Sequence, residues 1–573
     1  MRSARVAAGW LVEIGAWRRR HVDINAAVSG ILLLVLGVSL AFGALAADTY
    51  LHRGVEQGDE EPFVVQPTGD VLAANADLRV FAGGDLSAVA DALDRGGFQL
   101  VRQPVVWSEI EISEGDYDWS LYDRIVDELS RRDIRMVAVI LEAPAWSRAS
   151  GSLAASDGPP VDSSLVGSFL QAFTSRYGDA VPFIQFWDKP NVADRWGGSP
   201  ATAAEFLPYL AAAYNGAHAG NPEVSIITPE LSVSTSESEE NADLAFTESL
   251  YEIDGDAFFD IVALQLDGGT TSPDDRRISP TRRNFSRAVL MRELMIRYGD
   301  TSAPIWATSF GWARGGSTSE SEQAEFVIRA IERAWAEWPW MGPMFQWAFL
   351  ASSGSGSEPY ALVRADGTAT ELYRRLASAE FQERVSADET GFAPMDSPSV
   401  SYTGGAWENQ HLEGRTFRTT DQIDAELTFS FRGTGVDAVM RIGPESGNVI
   451  VEVDGKVIPG GDGESGDEWD MSWFETLDLS TDLVSGLDYG EHELTIRLVS
   501  EGTLTLGGLI VERDQPFVWP IILLTVGALI AMFFGIRSMI MLVGRRSGHL
   551  PRADEDPWPA LPSMPDWRPG RPS

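Results

Sequence analysis

The sequence contains no cysteine. That excludes disulfide bonds, thiolate metal ligation and thiol catalysis. Cationic residues are scarce as well: 44 Lys and Arg stand against 84 Asp and Glu, a formal charge of -40. A nucleic-acid-binding surface carries the opposite sign, so that class is set aside. Lysine is nearly absent. Only Lys189 and Lys456 occur, and every other basic residue is arginine. No internal repeat is evident, and "FAGGDLSA" is a poor match to a Gly-rich phosphate-binding turn.

What is present begins with two long apolar runs. Residues 26–47, "AAVSGILLLVLGVSLAFGALAA", and the stretch opening "PFVWPIILLTVGALIAMFFGI" within 516–543 are each long enough to cross a bilayer. Arg2, Arg5, Arg18, Arg19 and Arg20 precede the first run. Arg537, Arg545, Arg546 and Arg552 flank the second on its far side. The positive-inside rule then makes the segments 1–25 and 545–573 cytoplasmic and turns everything between the spans outward. The first run reads as a membrane span or an uncleaved signal anchor, and Ala44–Ala46 also resembles a signal-peptidase site. The expected location is the cell membrane, two-pass, with a membrane-protein partner as an open possibility.

Residues 48–75 read as a linker. From 76 to 381 short apolar runs alternate with amphipathic stretches, eight of the first kind, among them "FQLVRQPVVW", "RMVAVILEAP" and "PIWATSFGW". This pattern predicts a parallel (β/α)8, or TIM, barrel. An open doubly wound sheet is the alternative. From 400 to 513 the period changes to two with frequent glycines, as in "NVIVEVDGKVIPG", which predicts an antiparallel β-sandwich. Its acidic connector, Gly460–Asp470, reads as a solvated loop, with a calcium site as the alternative.

The strand ends of the barrel segment resemble the (β/α)8 glycoside hydrolases that use two catalytic glutamates, the xylosidase- and cellulase-like clan. "WSEIEISEGDYDW" after the second strand, "APAW" after the third, "FWDKPN" after the fourth, "ATSFGW" at the seventh and "MFQWAF" at the eighth carry the likeness, in the correct order. The resemblance implies a barrel with its site at the C-terminal ends of the strands. It implies that Arg102 supports the acid site and that Trp107 lines a sugar cleft. Asp188, Asn191, Trp146, Trp196, Trp312 and Trp347 are its further substrate-binding candidates. The sandwich resembles carbohydrate-binding or galactose-binding-like modules by pattern and position only.

The likeness breaks at the reacting groups. Glycoside hydrolysis of this type needs one carboxyl group to protonate the leaving oxygen and a second, about 5 Å away, to attack the anomeric carbon. The acid/base glutamate aligns with Lys189 and the nucleophile with Ser309. Asp188 stands where the family has Asn, and "LQLDGG", with Gln265 and Asp267, replaces His-x-Tyr on the sixth strand. A serine nucleophile needs a base, and the only histidine of the barrel segment, His218, falls on a helix that ends at the opposite face. Glu142, Glu230 and Asp267 remain as relocated carboxylates. Alternatively they are solvated, or they pair with Arg102 and Lys189. No cofactor and no metal is expected. The expected function is a glycosidase-like surface protein without hydrolysis that binds or organises polysaccharide. An active O-glycosyl hydrolase and a structural subunit of a membrane complex are the alternatives.

Overall fold

The computed structural model describes residues 28–59, 61–67, 71–148, 158–235, 242–351, 356–385, 387–412, 415–460 and 466–546. The expected cytoplasmic segment 1–25 and all but the first two residues of 545–573 lie outside the described residues, as does the centre of the acidic connector, 461–465. The chain divides into two units, Gly54–Asp514 and the pair of segments flanking it.

In the flanking unit, helix α1 (Val28–His52) and the closing helix of the chain (Trp519–Arg546) are long and apolar enough to cross a membrane. The first runs five residues beyond the expected bound at Ala47. The two helices pack antiparallel through small residues. A Cβ on Gly37 would lie 2.7 Å from the Ala531 backbone nitrogen, and one on Gly30 would lie 2.7 Å from the Ser538 hydroxyl. Gly30, Gly37 and Ala44 recur every seven residues and are all buried. In lipid, where apolar surface drives little association, such close backbone approach is a main source of helix pairing. The cysteine-free chain allows a clean check. Gly30→Cys with Ser538→Cys is expected to form a disulfide on oxidation, and proteolysis of the intervening domains should leave both helices in one band on a non-reducing gel. Adding Gly37→Leu should abolish most of that band.

The larger unit opens with the barrel. Its strands are β1 (Leu72–Asn75), β2 (Phe98–Val106), β3 (Arg135–Leu141), β4 (Phe183–Phe186), β5 (Ser225–Ile227), β6 (Val262–Asp267), β7 (Ile305–Gly311) and β8 (Met341–Gln346). All eight pair in parallel, and a bridge between Ile227 and Ile261 closes the ring between β5 and β6. Helices between the strands form the outer layer, among them α2 (Leu86–Arg95), α3 (Ser120–Ser130), α4 (Ser164–Tyr177), α5 (Ala203–Gly220), α6 (Asp243–Glu252), α7 (Ala288–Arg297) and α8 (Glu320–Glu337). Each helix carries an apolar stripe; in α2 it is Leu86, Val89, Ala90 and Leu93, the i, i+3, i+4, i+7 spacing that faces a sheet.

One apolar layer plugs the barrel. Ala73, Leu100, Val137, Phe183, Ile227, Ala263, Trp306 and Phe345 contribute one side chain from each strand. Side chains alternate along a strand, so residues two positions further on face the same interior. There the sequence turns polar: Asn75, Arg102, Gln185, Gln265 and Thr308. The lower barrel is therefore a packed core and the upper barrel a polar layer.

The sandwich follows as β9 (Gly391–Ala393), β10 (Val400–Thr403), β11 (Glu408–Leu412), β12 (Arg415–Thr420), β13 (Glu426–Gly433), β14 (Gly435–Ile442), β15 (Asn448–Val453), β16 (Lys456–Ile458), β17 (Trp469–Asp470), β18 (Leu477–Val484), β19 (Gly490–Leu498) and β20 (Leu504–Glu512). One sheet runs β11-β12-β20-β14-β18 with β9 on β20. The other runs β10-β13-β19-β15-β16 with β17 on β15. On this second sheet's inner side Leu427 stands beside Ile496 and Phe429 beside Leu494 in register.

The sandwich rests on the barrel at the end where strands begin, away from the strand ends that resemble a catalytic face. Arg513 donates to the Ala336 carbonyl (2.7 Å), and Phe392 stacks on Phe63 at 5.4 Å. The segment after α1, expected as a linker, is held in place: Glu56 pairs with Arg292 (3.1 Å) and Val65 bridges Phe392.

Candidate functional site

The polar layer at the C-terminal strand ends is a closed network. Arg102, on β2, reaches inward and donates to Gln185 (2.6 Å), Asn75 (2.9 Å) and Asp188 (2.9 Å). Asn75 in turn donates to the carbonyls of Thr308 and Gln346. Gln185 donates to the Thr228 carbonyl (2.8 Å). β1, β2 and β4 thus contribute side chains that neighbouring strands satisfy, which is how polar groups remain stable in a buried layer.

Lys189 and Glu230 complete the network. Glu230 follows β5 and is wholly buried. Its Oε1 faces the Lys189 ammonium at 2.7 Å, and its Oε2 accepts from the Thr308 hydroxyl at 2.8 Å. The backbones also lock together: Lys189 N–H donates to the Glu230 carbonyl (2.7 Å), and Asp188 and Glu230 form a parallel bridge. Asp188 lies 3.7 Å from the same ammonium on its other side. Trp187 and Lys189 have φ of 67° and 55°, left-handed values that cost free energy in bulky residues. The turn holds these values while it delivers Lys189 onto Glu230.

The electrostatics follow from this packing. Burial alone would raise the Glu230 pKa, but the Lys189 and Arg102 charges, with hydrogen bonds from Lys189 and Ser309, hold it well below the usual carboxylate range. Burial alone would lower that of Lys189, but the Glu230 and Asp188 carboxylates overcome it and raise it above the ordinary lysine value. Two cations and two carboxylates, Arg102, Lys189, Asp188 and Glu230, form a neutral cluster. An ammonium this firmly protonated is a poor proton donor at neutral pH, and a carboxylate held by an ammonium against one oxygen and a hydroxyl on the other is a poor nucleophile.

The other expected residues divide between packing and partial exposure. Trp107 and Trp312 do not line a cleft. Both are buried, Trp107 stacked on Phe169 at 4.9 Å with its Nε1 donating to Glu111, and Trp312 donating to the Thr271 carbonyl. Their positions near strand ends do not determine which way the rings turn, and here both turn into the helix layer. Asn191 ties two loops, its amide exchanging bonds of 2.9 Å with the Ser232 backbone. Trp146, Trp196 and Trp347 are half-buried. Trp196 packs edge-on against Trp187 (5.3 Å), and Trp347 stacks on Tyr360 (4.6 Å). Asp267 is paired with Arg283, and Glu142 sits half-buried with a φ of 54°. Ser309 is buried on β7 beside Gln265 in register. His218 lies at the end of α5 with its Nδ1 on the Tyr214 carbonyl (2.9 Å), remote from Ser309 along the barrel axis.

Asn75, Gln185 and Thr308 were not among the expected site residues. The signal that finds them is the step of two from the apolar plug, which carries each of them to the inward face one layer above it.

Fold and site together define a (β/α)8 barrel with a charged, self-satisfied layer at its C-terminal strand ends, followed by a β-sandwich. The structure is similar to that of a family 39 glycoside hydrolase from Bacteroides cellulosilyticus WH2, at 14% identity, with 77% of this chain and 81% of that chain covered and a TM-score of 0.44. It is also similar to a glucosidase from Croceicoccus marinus, at 13% identity, with 76% and 98% covered and a TM-score of 0.44. A beta-glycosidase, BGL167, matches at 16% identity over 52% of this chain and 85% of that one, with a TM-score of 0.39. No family model matches the sequence. No curated protein matches it either.

Proposed function

We propose that this chain is a membrane-anchored surface protein whose glycosidase-like barrel does not hydrolyse glycosides, and that it binds or organises polysaccharide outside the membrane. The observation that carries the reading is the Lys189–Glu230 contact of 2.7 Å. At the strand end where the resemblance implies a proton-donating carboxyl group, the chain holds an ammonium that its neighbours keep charged. Ser309, at the position implied for the nucleophile, is buried and has no imidazole beside it among the described residues. Two of the three relocated carboxylates fare no better: Glu230 is bound to Lys189 and Asp267 to Arg283.

The two apolar helices and their arginine flanks support a two-pass topology with both termini cytoplasmic and the barrel and sandwich outside. The acidic charge suits a neutral glycan better than a polyanion. The test is binding. Full-length protein in detergent micelles, applied to an array of neutral glycans with gluco-, manno-, galacto-, xylo- and arabino-linkages, is expected to retain a subset with saturable affinity. Retention of none would refute the polysaccharide reading.

A further inference from the structure

The barrel spends its strand-end groups on one another, but the sandwich does not. On β12, Phe417 is buried beneath the Arg441 guanidinium, 4.9 Å from the ring centre, and against Gly507, where a Cβ would come within 2.7 Å of the ring. Phe417 is not part of the inter-sheet core, so this is the sheet's outer face. Two residues on, Thr419 stands opposite Thr505 of β20, and their hydroxyls are bonded together. The end of β14 and the loop after it rise beside them. The result is an open groove lined by Gln410, Thr419, Arg441, Ser446, Thr476 and Thr505.

The lining specifies a chemistry. Arg441 is neutralised by Asp478 through bonds of 2.6 and 2.8 Å. Among the described residues, the only other charge on the lining is the exposed carboxylate Glu445. Everything else polar is a hydroxyl or an amide, groups that both donate and accept. Among the described residues, the side chains of Gln410 and Thr476 make no hydrogen bond. Such a surface repels anions and offers an apolar ligand little, but it matches a polyol.

A second feature lies at the same edge. The segment that supplies Thr476 is fastened to the groove's loop: Gly443 bridges Ser472, and Trp473 N–H donates to the Gly443 carbonyl (3.2 Å). That segment carries Trp473 and Phe474, 47% and 74% exposed, with ring centres 5.2 Å apart. An exposed aromatic pair beside a polar groove is the arrangement that stacks on the apolar faces of sugar rings while hydroxyls and amides read their edges.

We propose that this groove, with Trp473 and Phe474 at its rim, is the protein's binding site for a neutral oligosaccharide chain. The inference rests on the polysaccharide reading above and moves its site from the barrel to the sandwich. The test uses full-length protein in micelles and the neutral glycans the array retains, with affinity measured by calorimetry. Trp473→Ala is expected to weaken binding at least tenfold, and Gln410→Ala with Thr505→Val several-fold. Because all these residues but Thr505 are exposed, the thermal midpoint of Trp473→Ala should match wild type. If Trp473→Ala keeps wild-type affinity while Trp347→Ala abolishes it, the groove is not the site and the polysaccharide reading stands with its site in the barrel. If no glycan binds the wild-type protein, both are overturned.

Discussion

Glu230→Gln is expected to destabilise the larger unit by about 3 kcal/mol, the low end of the cost of leaving one partner of a buried pair behind. The amide keeps the shape and still accepts from the Thr308 hydroxyl. It removes the charge that the Lys189 ammonium faces at 2.7 Å and leaves that ammonium with Asp188 at 3.7 Å. Lys189 is only a quarter exposed, so water restores little of the loss. Urea denaturation followed by tryptophan fluorescence reads the effect. The pH dependence has a definite sign. Because the folded pKa of Glu230 is depressed, its contribution is fully present above the unfolded value of about 4.3 and is lost as pH falls through the folded one. Lys189 is raised, so its contribution is full below the unfolded value of about 10.4 and is lost as pH rises through the folded one. The difference between wild type and Glu230→Gln should therefore be flat from about pH 5 to 10 and shrink on the acid side.

Lys189→Glu should be the more damaging change, although it restores the residue that the resemblance implies. It would set a third carboxylate against Asp188 and the buried Glu230, with Arg102 as the one remaining cation of the cluster. Like charges in a buried layer force protonation or unfolding. We expect a loss of at least about 4 kcal/mol at pH 7, comparable to an uncompensated buried charge. Part of it should return near pH 4.5 as the carboxyl groups take up protons, and more with Glu230→Gln added. A stable Lys189→Glu protein at pH 7 would show that Glu230 is not held as an anion. It follows that Lys189→Glu with Ser309→Glu alone should not confer activity, because Glu230 still occupies the space where the new carboxyl group must work.

The architecture was legible because it rests on periodicity. Eight apolar runs with helices between them leave few folds, and the change to period two after residue 400 marks the sandwich. Lys189 and Ser309 stood out because they fall where the resemblance implies the two glutamates, and a lysine is conspicuous in a chain with two of them. The pairing of Lys189 with Glu230 was open, one of several fates for that carboxylate, since it joins positions 41 residues apart through a turn with two left-handed residues. The directions of Trp107 and Trp312 were not legible at all. A strand-end position leaves a ring free to face the cleft or the helix layer, and only tertiary packing decides. The partners of Glu56 and Val65, Arg292 and Phe392, were not legible for a similar reason: they lie far along the chain, on α7 and in the sandwich.

The most direct test of the central claim is a hydrolysis assay. Full-length protein is incubated with aryl glycosides and with neutral oligosaccharides of the five linkage types between pH 4 and 9, and released phenol and reducing ends are followed for a day. The ion-paired site predicts release no faster than the buffer blank at any pH. Turnover above the blank that disappears in Glu230→Gln or Asp267→Asn would contradict it and make the barrel a working hydrolase.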